Sequence, residues 1–233
     1  MTMNFDEPPI HDDRRIWRFA AASIGGGALL ALLMVMHHPT LDRGSIHDAA
    51  QTADAIARLA AADRLVHGML MLLYGLQTVG FFYLAQRLRF SRPIVTAGFV
   101  AFAAGSFLTL IPATLDGFVT PDLPALCRTD CAGAALPGIW MISIAIQDFT
   151  RIGLVAFAIS SLCWGVAMMS ASGRLPRLVG VIGVAAGAVS IGLIVVAGIV
   201  LTPTMLAVIV LSQLVWNLGI AAWLLTGAAP RGA

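Results

Sequence analysis

The sequence contains no lysine, and all 14 of its basic residues are arginine. Retinal and pyridoxal phosphate form Schiff bases with a lysine amine, and the phosphate-binding loop of P-loop nucleotidases also requires a lysine. The sequence therefore excludes these three chemistries. Charge of either sign is scarce as well, since charged residues make up 11% of the composition and the formal net charge is +2. Basic clusters this small argue against a nucleic-acid partner.

Apolar residues dominate the composition. Hydrophobic residues make up 59% of the 233 residues, and the mean hydropathy is +0.89. A soluble domain of this length could not cover its surface with so few charges, so most of the chain is predicted to lie in a lipid bilayer. Helices are expected there, because backbone polar groups in lipid must be paired within the segment. Six apolar stretches are long enough to span: 16–36, 65–85, 94–115, 139–169, 178–201 and 204–226.

The distribution of arginine predicts the orientation of the bundle. Nine arginines fall on the side of the two termini and five fall on the other side. The positive-inside rule then places both termini in the cytoplasm. We therefore expect an all-α integral membrane protein, a bundle of six transmembrane helices in a bacterial inner membrane. Its predicted parts are a cytoplasmic tail at 1–15, a transmembrane domain at 16–227 with outer loops at 37–64 and 116–137, and a cytoplasmic tail at 228–233.

The two outer loops are predicted to form an external cap. In the first, Ser45 resembles a helix N-cap, and apolar residues recur at helical spacing as far as Arg64. This pattern predicts a short amphipathic helix on the outer membrane surface. The second loop contains Cys127 and Cys131, for which we predict a disulfide, with a thiolate metal site as the alternative.

Two apolar stretches carry further structural information. The fourth is too long to cross a bilayer upright, so we expect it to tilt or to project outside. The fifth contains Gly183 and Gly187 at the G-x-x-x-G spacing that lets helix backbones approach closely. This spacing predicts packing within the chain, with a dimer face as the alternative. A homo-oligomer or partner membrane subunits therefore remain open, besides the lipid bilayer itself.

Titratable residues other than arginine are concentrated at the outer side of the predicted bundle. Asp63 and His67 are four residues apart and share one helical face, at the start of the second span. His37 and His38 follow the first span, and Asp116 is predicted to end the third. Imidazole and carboxylate ligands together suit zinc, copper or non-haem iron. These five residues are therefore the candidate ligands of a transition-metal site, although each one taken singly could instead cap a helix end.

Polar residues within the spans form two further pairs. Asp148 and Arg151 are three residues apart, which predicts an ion pair on one helical face. The alternative is that the arginine contacts an anionic substrate. Gln213 and Asn217 are four residues apart in the sixth span, which predicts hydrogen bonds between helices, with a substrate contact as the alternative.

Three functions are compatible with this sequence. The leading interpretation is a metal-dependent membrane enzyme or a metal-handling protein whose site lies at the outer face. The others are an accessory or scaffold subunit of a larger membrane complex and a small transporter. Few charges within the spans and the lack of a proline-broken helix pair speak against the transporter. Neither a serine–histidine–aspartate triad nor an H-E-x-x-H motif is present, so these enzyme templates do not apply.

Overall fold

The computed structural model describes residues 14–38, 49–126, 132–197 and 203–226. Every regular element within these ranges is helical. The elements in chain order are α1 (Arg14–Ala21), a first π-helix (Ala22–Gly26), α2 (Gly27–Met36), α3 (Ala49–Arg87), α4 (Pro93–Thr114), a second π-helix (Leu115–Val119), α5 (Thr120–Leu126), α6 (Ala132–Met169), α7 (Arg174–Ala197) and α8 (Pro203–Leu225).

Six helical segments are long and apolar enough to cross a membrane. They are Arg14–Met36, Asp54–Arg87, Pro93–Leu123, Trp140–Met169, Arg174–Val196 and Thr204–Leu225. An all-helical chain with six such segments agrees with the sequence prediction. The orientation of the bundle and the identity of its membrane stay predictions.

The six spans pack against one another in their sequence order. The first span, which comprises α1 and α2, contacts α3, and the contacts then pass from α3 to α4, from α4 to α6, from α6 to α7 and from α7 to α8. Helix α8 returns to α1 and α2, so the order closes into a ring. Short connections between consecutive spans favour this antiparallel arrangement of neighbours.

An aromatic layer fills the interior of this ring. It consists of Phe81, Phe102, Trp164 and Trp216, which come from four different spans and are at most 6% exposed. The ring centroid of Phe81 lies 4.2 Å from that of Phe102 and 4.8 Å from that of Trp164. The indole Nε1 of Trp164 donates a hydrogen bond of 3.1 Å to the carbonyl oxygen of Val95, which satisfies its polar atom in the core.

The glycines of α7 pack against other helices of the same chain. A Cβ atom on Gly187 would lie 2.7 Å from the carbonyl oxygen of Ala158 on α6, and one on Gly183 would overlap the indole of Trp216 on α8. Side chains at these positions would therefore push the neighbouring helices apart. The prediction that Gly183 and Gly187 serve packing within the chain is confirmed.

Two predicted boundaries differ from the structure. Helix α3 runs without a break for 39 residues, so the predicted separate surface helix ending near Arg64 is instead the first part of a longer helix. The chain between 49 and 87 contains no proline, and its first part is rich in alanine, which has the highest helix propensity. The third span does not end near Asp116, because helical structure continues through the second π-helix and α5 to Leu126 and the span itself reaches Leu123.

The fourth apolar stretch forms one helix, as expected. Helix α6 contains 38 residues, which corresponds to a length of about 57 Å at 1.5 Å per residue and exceeds a hydrocarbon core of about 30 Å. Ser45, Cys127 and Cys131 lie outside the described residues, and so do both predicted tails except for Arg14 and Arg15. The N-cap role of Ser45 and the disulfide therefore stay predictions.

Candidate metal centre

Four polar side chains meet at the end of the bundle where α2 terminates. His38 lies two residues beyond α2, Asp63 and His67 lie one turn apart on α3, and Asp116 lies in the second π-helix. Helix α3 contacts both α2 and the second π-helix. The packing of α2 and of the second π-helix against α3 therefore brings these residues together.

Three atoms of this cluster form a nearly equilateral triangle, which we call the ligand triangle. The Nε2 atoms of His38 and His67 are 3.3 Å apart, and Oδ2 of Asp116 lies 3.5 Å from the first and 3.4 Å from the second. A tetrahedral zinc ion with bonds of about 2.0–2.1 Å holds its ligand atoms about 3.3–3.4 Å apart. The ligand triangle therefore has the dimensions of three corners of a tetrahedral site.

The tautomer of His67 is set by a backbone hydrogen bond. Its Nδ1 lies 2.9 Å from the carbonyl oxygen of Asp63. A carbonyl oxygen can only accept, so Nδ1 carries the proton and Nε2 of the neutral ring keeps its lone pair. The ring is 5% exposed and is thereby fixed with Nε2 directed at the triangle, where it lies within hydrogen-bond distance of Nε2 of His38. Metal-binding histidines are typically oriented in this way by a hydrogen bond to the other ring nitrogen.

The carboxylate of Asp63 lies just outside the ligand triangle. Its Oδ1 is 4.0 Å from Nε2 of His38 and 3.9 Å from Nδ1 of His67. This oxygen is buried and has no hydrogen-bond partner within the described part of the chain. Ligand atoms of His38, Asp63 and His67 all lie within 4.8 Å of one another, so these three residues could hold a metal ion. A bound ion or its water would also satisfy the buried oxygen, which is otherwise costly.

Gly117 allows the second π-helix to approach His67. A Cβ atom at this position would lie 2.7 Å from Cγ and 2.9 Å from Nδ1 of the His67 ring. The π-helical turn directs Asp116 at the triangle while its neighbour Gly117 lies flat against the imidazole. Single π-helical turns occur frequently at functional sites. Sequence reasoning missed Gly117, although a glycine directly after a candidate ligand was a usable signal.

A salt bridge connects two helices beside the cluster. Arg64 of α3 lies 2.5 Å from Asp122 of α5, measured between Nη2 and Oδ1. Both side chains are exposed, so the pair contributes little to stability. It does show that the arginine next to Asp63 is engaged with α5 rather than with the carboxylates of the cluster.

His37 does not join the cluster. Its side chain is exposed, and its Nδ1 lies 2.8 Å from the carbonyl oxygen of Leu33, where it caps the end of α2. His37 is the C-cap of α2 and has φ −101° and ψ 10°, so the chain leaves the helix here and the two histidine side chains take different directions. The structure thus brings together four of the five candidate ligands and leaves His37 outside.

Asp148 and Arg151 form a separate pair on α6. Oδ1 of Asp148 lies 3.9 Å from Nη1 of Arg151, as their spacing predicts. The aspartate side chain is 56% exposed and the arginine side chain 25%, so the pair lies at the surface of the described protein. Contact of Arg151 with an anionic substrate stays a prediction.

Gln213 connects three helices. Its Oε1 accepts a hydrogen bond of 2.8 Å from Ser161 on α6, and its Nε2 donates one of 3.3 Å to Ser190 on α7. The predicted role of this residue in hydrogen bonding between helices is confirmed. Asn217, one turn further along α8, lines a partly open cavity together with Gln213.

No protein-family model, curated protein or solved structure matches this chain. The fold and the site define a class nonetheless: a helical protein with six segments suited to spanning a membrane and a His/Asp group that could hold a metal ion.

Proposed function

We propose that this protein is an integral membrane metalloprotein that binds one divalent transition-metal ion. The ligands are Nε2 of His38, Nε2 of His67 and the carboxylate of Asp116. The observation that supports this assignment is the ligand triangle, with edges of 3.3 Å, 3.4 Å and 3.5 Å. By the positive-inside rule, this end of the bundle faces the periplasm.

Zinc is the ion that fits this geometry best. Two imidazoles and one carboxylate also form the facial triad of non-haem iron enzymes. In that triad the ligands stand near right angles, which brings their atoms closer together than tetrahedral angles do at the same bond length. Edges of 3.3–3.5 Å therefore favour a tetrahedral ion.

The ligand set favours a catalytic site over a structural one. Three protein ligands leave a fourth tetrahedral position, which in catalytic zinc sites is taken by water or substrate. A zinc ion held here would lower the pKa of such a water to about 7 and would so supply a nucleophile near neutral pH. Oδ1 of Asp63 is buried, lies 4.0 Å from Nε2 of His38 and has no hydrogen-bond partner among the described residues. Asp63 is therefore the group placed to accept the proton of this water. The proposed activity is therefore metal-dependent hydrolysis, with Asp63 as general base.

Metal analysis of the purified protein tests the metal site. We expect about one zinc per chain when the protein is purified in detergent without chelator, measured by plasma mass spectrometry against protein concentration. The His38→Ala variant removes one corner of the triangle and is expected to retain far less metal. His37→Ala is the matched control, because this neighbouring histidine faces away and should leave the zinc content unchanged.

The same measurement can overturn the proposal. Wild-type protein that holds no transition metal, even after incubation with zinc, iron(II) or copper and removal of the excess, would rule out the site. Equal metal content in His38→Ala and His37→Ala would show that any bound ion lies elsewhere.

The role of Asp63 has its own test. We expect Asp63→Asn to keep one zinc per chain, because three ligands remain, and to lower the affinity by no more than roughly 10–100-fold. Competition with a chromogenic chelator measures that affinity. Complete loss of zinc from Asp63→Asn would instead make Asp63 the fourth ligand, which would close the site and remove the basis for hydrolysis.

A further inference from the structure

A partly open cavity of about 90 Å³ lies deeper in the bundle than the cluster. Along α3 its lining begins at Tyr74, seven residues beyond His67, and ends at Phe81 in the aromatic layer. Five of the six spans contribute to it, because α2, α4, α6 and α8 also supply lining residues. The cavity therefore lies between helices of the bundle and also opens to the outside.

The walls of the cavity are largely apolar and aromatic. Tyr74 and Phe157 stack with their ring centroids 5.7 Å apart and form one wall. Ala28 and Ala31 of α2 form part of another, and their small side chains leave the space open. An enclosed apolar cavity of about 150 Å³ holds benzene, so this smaller, partly open cavity surrounds only part of a hydrocarbon chain. The part of any ligand inside the cavity must therefore be small and hydrocarbon-like.

The polar groups of the lining differ in how well they are satisfied. Gln213 uses both ends of its amide in hydrogen bonds to serines. Asn217, by contrast, has a buried Oδ1 that lacks a partner among the residues the structure describes. An unpaired amide within the hydrocarbon region costs several kcal/mol of free energy. A hydrogen-bond partner therefore stabilises Asn217 more there than it would at a surface in contact with water.

We propose that this cavity binds a small membrane-soluble alcohol, a molecule of mostly hydrocarbon whose one hydroxyl group hydrogen-bonds to Asn217. A hydroxyl can donate to the amide oxygen and can also accept from the amide nitrogen. It therefore satisfies Asn217 in either orientation of the amide, which a pure donor or a pure acceptor does not. This site is separate from the metal site and does not depend on it.

Photolabelling with a matched pair of probes tests this proposal. The probes are a diazirine-bearing hexanol and the diazirine-bearing hexane with the same skeleton, each applied to the full chain in phosphatidylcholine nanodiscs. After irradiation, peptide mass spectrometry locates the adducts. We expect the alcohol to label lining residues such as Tyr74 and Leu214 about tenfold more than the alkane does, and excess unlabelled hexanol to prevent this labelling.

Three variants separate the proposed hydrogen bond from general hydrophobic labelling. Asn217→Leu keeps the approximate volume and is expected to reduce labelling by the alcohol to the level of the alkane. Ala31→Phe fills the cavity and should prevent labelling by both probes. Ser212→Ala is the control, because Ser212 lies nearby on α8, is not part of the lining and bonds to the backbone of Ile209.

Several outcomes would overturn the proposal. The first is equal labelling of the wild type by the alcohol and the alkane, which would mean that water forms the hydrogen bond to Asn217. The second is undiminished labelling of Asn217→Leu by the alcohol. If Asn217→Leu does not fold, persistence of the alcohol adducts in Ala31→Phe would overturn the proposal instead. Labelling is also measured after treatment with a chelator that removes zinc. We expect the same labelling as without the chelator, because the cavity does not depend on the metal site.

Discussion

Replacement of His67 by alanine is expected to abolish zinc binding while the bundle stays folded. The side chain supplies one corner of the ligand triangle, and its ring is held by the backbone of Asp63. His37 cannot take its place, because it is exposed and bonds to Leu33. The affinity should therefore fall by more than the roughly 10–100-fold that follows from losing a supporting partner of a ligand.

Thermal unfolding in detergent measures both parts of this expectation. A ligand that binds only the folded state stabilises it by about 2.7 kcal/mol when present at about 100 times its Kd. Zinc should accordingly raise the unfolding midpoint of the wild type and of His37→Ala, and should leave that of His67→Ala unchanged. A cooperative transition in the metal-free variant shows that it is folded. Equal stabilisation of His67→Ala and the wild type by zinc would contradict the assignment.

The six spans were predictable because length and hydropathy alone determine whether a helix can cross a bilayer. The ends of the helices were harder to predict from the sequence. Hydropathy changes near Arg64, where the apolar second span begins, but helical hydrogen bonds continue across that change and α3 remains one helix. Asp116 and Gly117, followed by Pro121, resemble a loop. The π-helical turn found there packs against α3, and a local pattern does not contain that contact.

The site was predictable in the same uneven way. Asp63 and His67 share a face because a helix has 3.6 residues per turn, so their proximity follows from spacing alone. The contribution of His38 and Asp116 depends on how α2 and the second π-helix pack against α3, which is tertiary information. The choice between His37 and His38 depends on the backbone rotation with which the chain leaves α2 at His37. Neighbouring residues of the same type at a helix end do not reveal that rotation.

The second large effect is expected from Gly117→Ala, a substitution that removes no ligand. The added methyl group would lie 2.7 Å from Cγ and 2.9 Å from Nδ1 of His67, which is closer than non-bonded atoms can remain. The imidazole is buried and its Nδ1 is bonded to Asp63, so the ring cannot turn away without losing that bond. The second π-helix must therefore move outward, and it carries Asp116 with it.

Displacement of Asp116 would open the ligand triangle, since its edges match tetrahedral zinc only when Oδ2 stays about 3.4 Å from both imidazoles. We expect Gly117→Ala to lose zinc nearly as completely as His67→Ala, as judged by metal content and by zinc-dependent unfolding. Gly68→Ala is the control on the facing helix, because its Cβ would meet only Phe118 at 3.8 Å, an ordinary contact. Normal zinc affinity in Gly117→Ala would mean that the close packing of the second π-helix on His67 does not set the position of the ion. The assignment of Asp116 as a ligand at the distances of the ligand triangle would then be wrong, even if a metal were bound.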